Sequence, residues 1–147
     1  LIGQGDAFEA LEAIAANQKA ISISPSKSRL EISTILESHH IGLLPMPDTP
    51  VWSIASPLKR SEYLASGLMI YGVDHAGHRL NNTSDEWFRL SPMEDFHSKA
   101  IEWLGDLNQA HARKGCLAAR TYAEKHCSWE KSVEALELVL QATSKAE

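Results

Sequence analysis

Two short apolar runs bracket a segment in which both ends of a helix are written into the residues. The first, His40-Ile41-Gly42-Leu43-Leu44, is stopped by Pro45 and Pro47; the second is Leu68-Met69-Ile70-Tyr71. Short continuous apolar runs bounded by turn residues read as buried parallel strands. Between them, Ser56 is a good N-cap, and Pro57 suits the first helical position because its missing N–H would have no intrahelical partner there. Gly67 supplies the left-handed residue that ends such a helix. Strand, loop, helix and strand in this order predict a parallel sheet flanked by helices, an α/β fold.

The start of that helix has a chemistry of its own. The free backbone N–H groups of Leu58 and Lys59 would point outward at the positive end of the helix dipole, where a phosphate is stabilised. Glu62 lies six residues past the cap, roughly 9 Å along the axis at about 1.5 Å per residue. That is about the separation between a nucleotide's diphosphate and its ribose, whose hydroxyls a carboxylate can accept. In α/β folds ligands bind at the carboxyl ends of the strands, which is where this helix would begin. An ordinary capped surface helix with an exposed glutamate would carry the same residues.

The remainder of the chain alternates in the same manner. Asp6 is placed to cap a helix over about residues 7–17, and Ala20 to Ser24 alternate up to Pro25 as a short strand. Ser26 or Ser28 then starts a helix with Leu30, Ile32, Ile35 and Leu36 as its apolar stripe. After the second apolar run, Gly72 to His78 is a turn-rich loop, and residues 80–90 are polar and irregular with Trp87-Phe88 as their anchor. Ser91-Pro92-Met93-Glu94 has the form of a capping box, opening a helix whose face continues through Ile101, Leu104 and Leu107. A second long helix carries Leu117, Ala118, Tyr122 and Ala123; a third restarts at Ser128-Trp129 with Val133, Leu136, Leu138, Val139 and Leu140. The expected architecture is therefore a Rossmann-like parallel sheet flanked by helices, followed by a helical C-terminal tail.

At 147 residues and 44% hydrophobic, the chain is long enough for one core, so one domain over residues 1–147 is expected. A net charge of −5 excludes a general nucleic-acid binder, whose phosphate contacts need a basic face. No apolar stretch approaches the roughly 20 residues that cross a bilayer. Cys116 and Cys127 stand eleven residues apart on one expected helix, roughly 16 Å along its axis, too far to pair. Unpaired cysteines suit a reducing compartment, and a cytoplasmic protein is expected. Leu1-Ile2-Gly3-Gln4-Gly5 reads as the end of a strand and its turn, so the chain is expected to be a fragment of a longer protein.

The run "IGLLPMPDTP…SPLKRSEYLASGLMIYGVDHAGH" resembles the donor-binding half of a GT-B glycosyltransferase of the retaining GT4 type. The opening Leu1 to Asp6 is similar to that family's strand end and "GxG" turn, and "ARTYAEKHCSWEKSVEALELVL" to its last helices. The resemblance implies a domain, truncated at its start, that binds a nucleotide-diphosphate sugar without a metal or other cofactor. It assigns Glu62 to the ribose hydroxyls, and the first helical turn, Ser56 and Pro57 with the backbone of Leu58 and Lys59, to the diphosphate. It sets Ile23 and Pro25 beside the nucleobase. Many relatives carry a second glutamate eight positions before the ribose-binding one; here that position is Ile54, with Asp48 the nearest acid on the loop. His75 and Gly77 would line the mouth of the donor pocket. The missing N-terminal half would supply the acceptor site and basic partners for the diphosphate, so the fragment alone is expected to be inactive. Peripheral membrane association of the full enzyme stays open.

Other chemistries are weaker. Gly3-Gln4-Gly5 lacks the third glycine of a dinucleotide fingerprint. His39 and His40 are adjacent, and on a strand would face opposite ways; His75 and His78 would need a third ligand. No metal site is expected. A non-catalytic binding or scaffolding module with the same fold is the alternative function, and a receiver-like signalling domain a distant third, lacking the clustered acids at strand ends.

Overall fold

The computed structural model describes residues 1–55 and 58–144. The backbone divides into two compact units, residues 1–35 and 36–147, and each is described by itself.

In the first unit, Phe8–Ala16 forms α1. Asp6 does not cap it: the N-cap position is Ala7, which makes no side-chain cap bond, and the carbonyl of Gly5 accepts the Phe8 N–H at 3.0 Å. The expected strand at residues 20–24 is reduced to one parallel bridge between Ile2 and Ser24, with Gly3 N–H donating to Ser24 O and Ser24 N–H to Leu1 O, both at 3.0 Å. Helix α2 (Arg29–Glu37) begins in this unit. It opens on a reciprocal capping box: the Ser28 N–H donates to the Glu31 carboxylate at 2.9 Å and the Glu31 N–H to Ser28 Oγ at 3.3 Å. Those hydrogen bonds hold the Glu31 carboxyl below its ordinary range, the Ser28 hydroxyl contributing most.

The second unit is an α/β arrangement consistent with a Rossmann-like fold. Strands β1 (Ile41–Leu44), β2 (Met69–Val73) and β3 (Phe88–Ser91) form a parallel sheet in the order β1-β2-β3, with Ile41 opposite Met69 and Ile70 opposite Phe88. The loop after β1 is not structureless: Pro50–Ile54 forms α3, with proline in its first turn. Helix α4 follows as Leu58–Ala65, and Ser56 and Pro57, its expected cap and first residue, lie outside the described residues. Then come a 3-10 turn (Met93–Asp95) and helices α5 (Phe96–Asp106), α6 (Gln109–His126) and α7 (Trp129–Ser144).

Strand alternation puts helices on both faces of the sheet. A Cβ at Gly42 would run into the Tyr63 ring of α4, so that face of β1 and its partner Ile70 belong to α4. The next residue, Tyr71, turns to the other face and stacks on Phe96 and Trp103 of α5 at 5.0 and 5.7 Å. All five residues of β2 are buried, as a central parallel strand requires.

Gly67 ends α4 in a Schellman motif. Its φ is +75°, its N–H donates to Leu64 O at 3.0 Å, and the Leu68 N–H donates to Tyr63 O at 2.9 Å. Arg120 of α6 adds a donor to the Ala65 carbonyl. A Cβ at Gly67 would meet only ordinary contacts, the nearest being Cys116 O at 3.7 Å. Gly67→Ala is therefore expected to cost about 1–2 kcal/mol through the left-handed backbone alone. Urea unfolding should show a lower midpoint at unchanged slope.

Several sequence expectations need correction. Residues 88–91 are a strand rather than part of an irregular stretch. Ser91 does not open a capping box: it ends β3 buried, its Oγ 2.7 Å from the Tyr71 hydroxyl, and the 3-10 turn beyond it has no side-chain cap. The inward face of α5 is Phe96, Ala100 and Trp103, continued by Leu107 just past its end; Ile101 is 72% exposed and Leu104 also faces outward. On α6 the buried residues are Gly115, Ala119 and Ala123, with Ala118 and Tyr122 half-buried, whereas Leu117 is exposed. Small residues let α6 approach closely, since a Cβ at Gly115 would strike Met69. Helix α7 buries none of its residues, and Trp129 is 84% exposed.

Candidate functional site

Parallel strands bring their carboxyl ends to one edge, and three segments of the second unit meet there: α3 with its flanking loop, the first turn of α4, and residues 74–79 after β2. The last of these is firmly built. Asp74 N–H donates to Ser91 O at 2.8 Å, tying the loop to the end of β3, and the Asp74 carboxylate takes Arg79 Nε at 2.7 Å and Nη2 at 3.1 Å. The Arg79 hydrogen bond holds the Asp74 carboxyl below its usual range. Backbone N–H groups of His78 and Arg79 donate to His75 O at 3.0 and 3.2 Å.

Arg60 is the residue that joins this loop to α4. Its Nη1 donates to Gly77 O at 2.7 Å and to Arg79 O at 3.2 Å, while its Nε is buried with no partner among the described residues. Burial pulls the pKa of the guanidinium down. In the sequence it is simply the neighbour of Lys59; in the structure its charge holds two loop carbonyls. Lys59, by contrast, is exposed, its Nζ 3.8 Å from a Glu62 carboxylate oxygen. An exposed pair of this kind contributes little to stability, about 0–1 kcal/mol. The Glu62 carboxylate is therefore free to change partners.

The candidate residues divide as follows. Leu58, Lys59 and Glu62 share α4. His75 and Gly77 lie in the loop that Arg60 holds against this helix. Gly77 packs directly on α3 and the residue after it: a Cβ there would fall on Trp52 O and within 2.7 Å of Ala55 O. Asp48 faces Ser53, whose hydroxyl donates to it at 2.5 Å, and its charge raises the pKa of Arg79 slightly, after Asp74. Ile54 at the end of α3 is 87% exposed. Ile23 and Pro25 belong to the first unit.

His78 was readable in the sequence only as a loop residue, yet it is wholly buried. Its Nδ1 is 2.7 Å from Val73 O. A carbonyl only accepts, so Nδ1 carries the proton and Nε2 of the neutral ring is a bare lone pair. The His75 ring lies against it, centroids 3.7 Å apart. Burial lowers the pKa of His78; the hydrogen bond to Val73 opposes this, and His75 and Arg60 reinforce it.

Among the described residues no group of three or more His, Cys, Asp or Glu side chains comes together to hold a metal ion. No helix of the described residues is long and apolar enough to cross a membrane. Cys116 and Cys127 are both free. Two surface depressions lie elsewhere: one of about 320 Å³ beside Arg89, Trp103 and His111, the other of about 440 Å³ along α6 beside Trp87 and Tyr122. No protein-family model, curated protein or solved structure matches this chain.

Proposed function

We propose that this chain is a nucleotide-diphosphate-sugar-binding domain, the donor half of a GT-B glycosyltransferase of the retaining GT4 type. One observation carries the reading: α4 begins at the carboxyl edge of a parallel sheet, and Glu62 lies one turn in with only a weak surface pair to Lys59. The N–H groups of the first turn and the helix dipole favour a diphosphate at Leu58 and Lys59, and the carboxylate suits two ribose hydroxyls. Holding the diphosphate there would stabilise the charge that develops as it leaves the sugar. In this proposal another part of the same polypeptide supplies the acceptor site, the enzyme works in the cytoplasm, and neither metal nor cofactor takes part.

A second reading, a non-catalytic module of the same fold, is favoured by Ile54. Its bare side chain stands at the exposed end of α3 where many members of the resembled family place a sugar-binding glutamate. Calorimetric titration of the complete protein with UDP, GDP, ADP and their sugars tests the first reading. One of them should bind, and Glu62→Ala should weaken it about tenfold or more, the loss of charge-assisted hydrogen bonds of about 1.5–3 kcal/mol. Absence of binding to every nucleotide and nucleotide sugar would sink it. Binding without sugar transfer would favour the module.

A further inference from the structure

The loop after β2 has a feature that nucleotide binding does not use. Three ring nitrogens, Nδ1 and Nε2 of His75 and Nε2 of His78, are buried and have no hydrogen-bond partner among the described residues. His75 is 2% exposed and His78 0%. Buried polar atoms are almost always paired, so three orphans in two touching side chains are a concentrated exception. We propose that residues 74–79 form an acid-opened latch at the carboxyl edge of the sheet, closed while His78 is neutral and released when its ring is protonated.

The geometry gives the direction. With Nδ1 of His78 committed to Val73 O, its next proton must go on Nε2. There it would make a buried cation whose new N–H has no acceptor, against the face of a second imidazole. The surrounding charges do not relieve it. From α4 comes Arg60, a second buried cation, whose field already disfavours charge on His78. Tyr122 of α6 and Cys127 just beyond it also act on Arg60. From the loop itself come Asp74, whose attraction is felt at His75, and Arg79, which Asp74 holds in a two-pronged pair. Asp48 acts on Arg79. Where Gly77 meets α3 and the residue after it, the facing atoms are the carbonyls of Trp52 and Ala55.

In the open loop the His78 imidazole would titrate near its ordinary value of about 6.5. The closed form binds fewer protons than the open one, so it is fully favoured above that pH and loses ground as pH falls below it. Opening would free Gly77 O and Arg79 O from Arg60 and expose the end of β2 beside the first turn of α4. Protonation is thereby coupled to access at that edge, whatever ligand occupies it.

Amide hydrogen exchange followed by NMR on the full chain tests this. The reporters are the Asp74, His78 and Arg79 amides, with Ile70, bonded to Trp87 O inside the sheet, as the measure of global opening. After correction for intrinsic exchange, loop protection should fall about tenfold or more between pH 7.5 and 5.5 while that of Ile70 changes much less. The midpoint should coincide with titration of the His78 Cε1–H signal. In His78→Gln the pH dependence should shrink. Unchanged loop protection down to pH 5.0 overturns the latch, as does full pH dependence in that variant. If the variant does not fold, the wild-type comparison decides: opening that does not track the His78 signal also overturns it.

Discussion

Tyr71→Ala is expected to bring the second unit to the edge of unfolding. Tyr71 is 1% exposed at the centre of β2, and its ring is the platform on which Phe96 and Trp103 of α5 pack. Removing a buried aromatic ring costs about 3–5 kcal/mol through lost transfer energy and the cavity left behind. Whole domains are stable by only about 5–15 kcal/mol. The hydroxyl adds a separate term, because it lies 2.7 Å from Ser91 Oγ and donates to Phe96 O at 2.7 Å. One O–H cannot donate to both, so Tyr71 donates to the carbonyl and Ser91 donates to Tyr71. Tyr71→Phe should therefore cost about 1–3 kcal/mol, leaving the buried Ser91 donor unpaired and taking the second donor from Phe96 O. Urea denaturation of both variants, followed by circular dichroism, should rank them in that order. A Tyr71→Phe midpoint equal to that of the unaltered protein would show that solvent readily replaces the hydroxyl.

The same residue marks where the sequence stopped being legible. Its strand could be read from Leu68 to Tyr71, because an apolar run between a glycine stop and a turn leaves few alternatives. The helix before it could be read from Gly67, whose positive φ and Schellman bonds are local matters. Strand β3 could not. Phe88-Arg89-Leu90-Ser91 is four residues long, and its last member is followed by Pro92 and Glu94, which imitate a helix start. What decides for the strand is Tyr71, twenty residues away, whose hydroxyl takes up the serine that a cap would have used. Apolar residues on α5 and α6 misled in a related manner. Ile101 and Leu117 have helical spacing, but the buried faces are set by a single tryptophan and by glycine and alanines that permit close approach.

The candidate site was legible to the same extent. Positions whose role rests on backbone geometry, Leu58 and Lys59 in a first helical turn, followed from the elements around them. The role of Arg60 did not, because the carbonyls it bonds lie seventeen and nineteen residues further on. Nor did the burial of His75 and His78, which in sequence are polar residues in a loop rich in turn formers. A charged or imidazole side chain is enclosed by partners distant in sequence, and a local pattern does not carry them.

Gly77→Ala is expected to disable the latch without touching any titrating group. The φ of Gly77 is not in the left-handed region, so its need for glycine is one of space. An added Cβ falls on Trp52 O and within 2.7 Å of Ala55 O, and within 3.2 Å of the His75 ring. The first two are backbone atoms at the end of α3, which cannot rotate aside as a flexible side chain would. The loop must lift instead, giving up the Arg60 bond to Gly77 O and the packing of the histidine pair. Overpacking of this kind costs about 1–3 kcal/mol. Gly105→Ala is the matched control, since nothing lies within 4 Å of its Cβ; in the last turn of α5 it should be stabilising by up to about 0.5–1 kcal/mol. Thermal melts should separate the two variants in opposite directions. Hydrogen exchange gives the sharper reading: after correction for intrinsic exchange, the His78 and Arg79 amides of Gly77→Ala should be as weakly protected at pH 7.5 as those of the unaltered chain are at pH 5.5. Retained protection at both amides would mean that α3 yields rather than the loop, and the enclosure of the histidine pair would then not depend on the fit of Gly77.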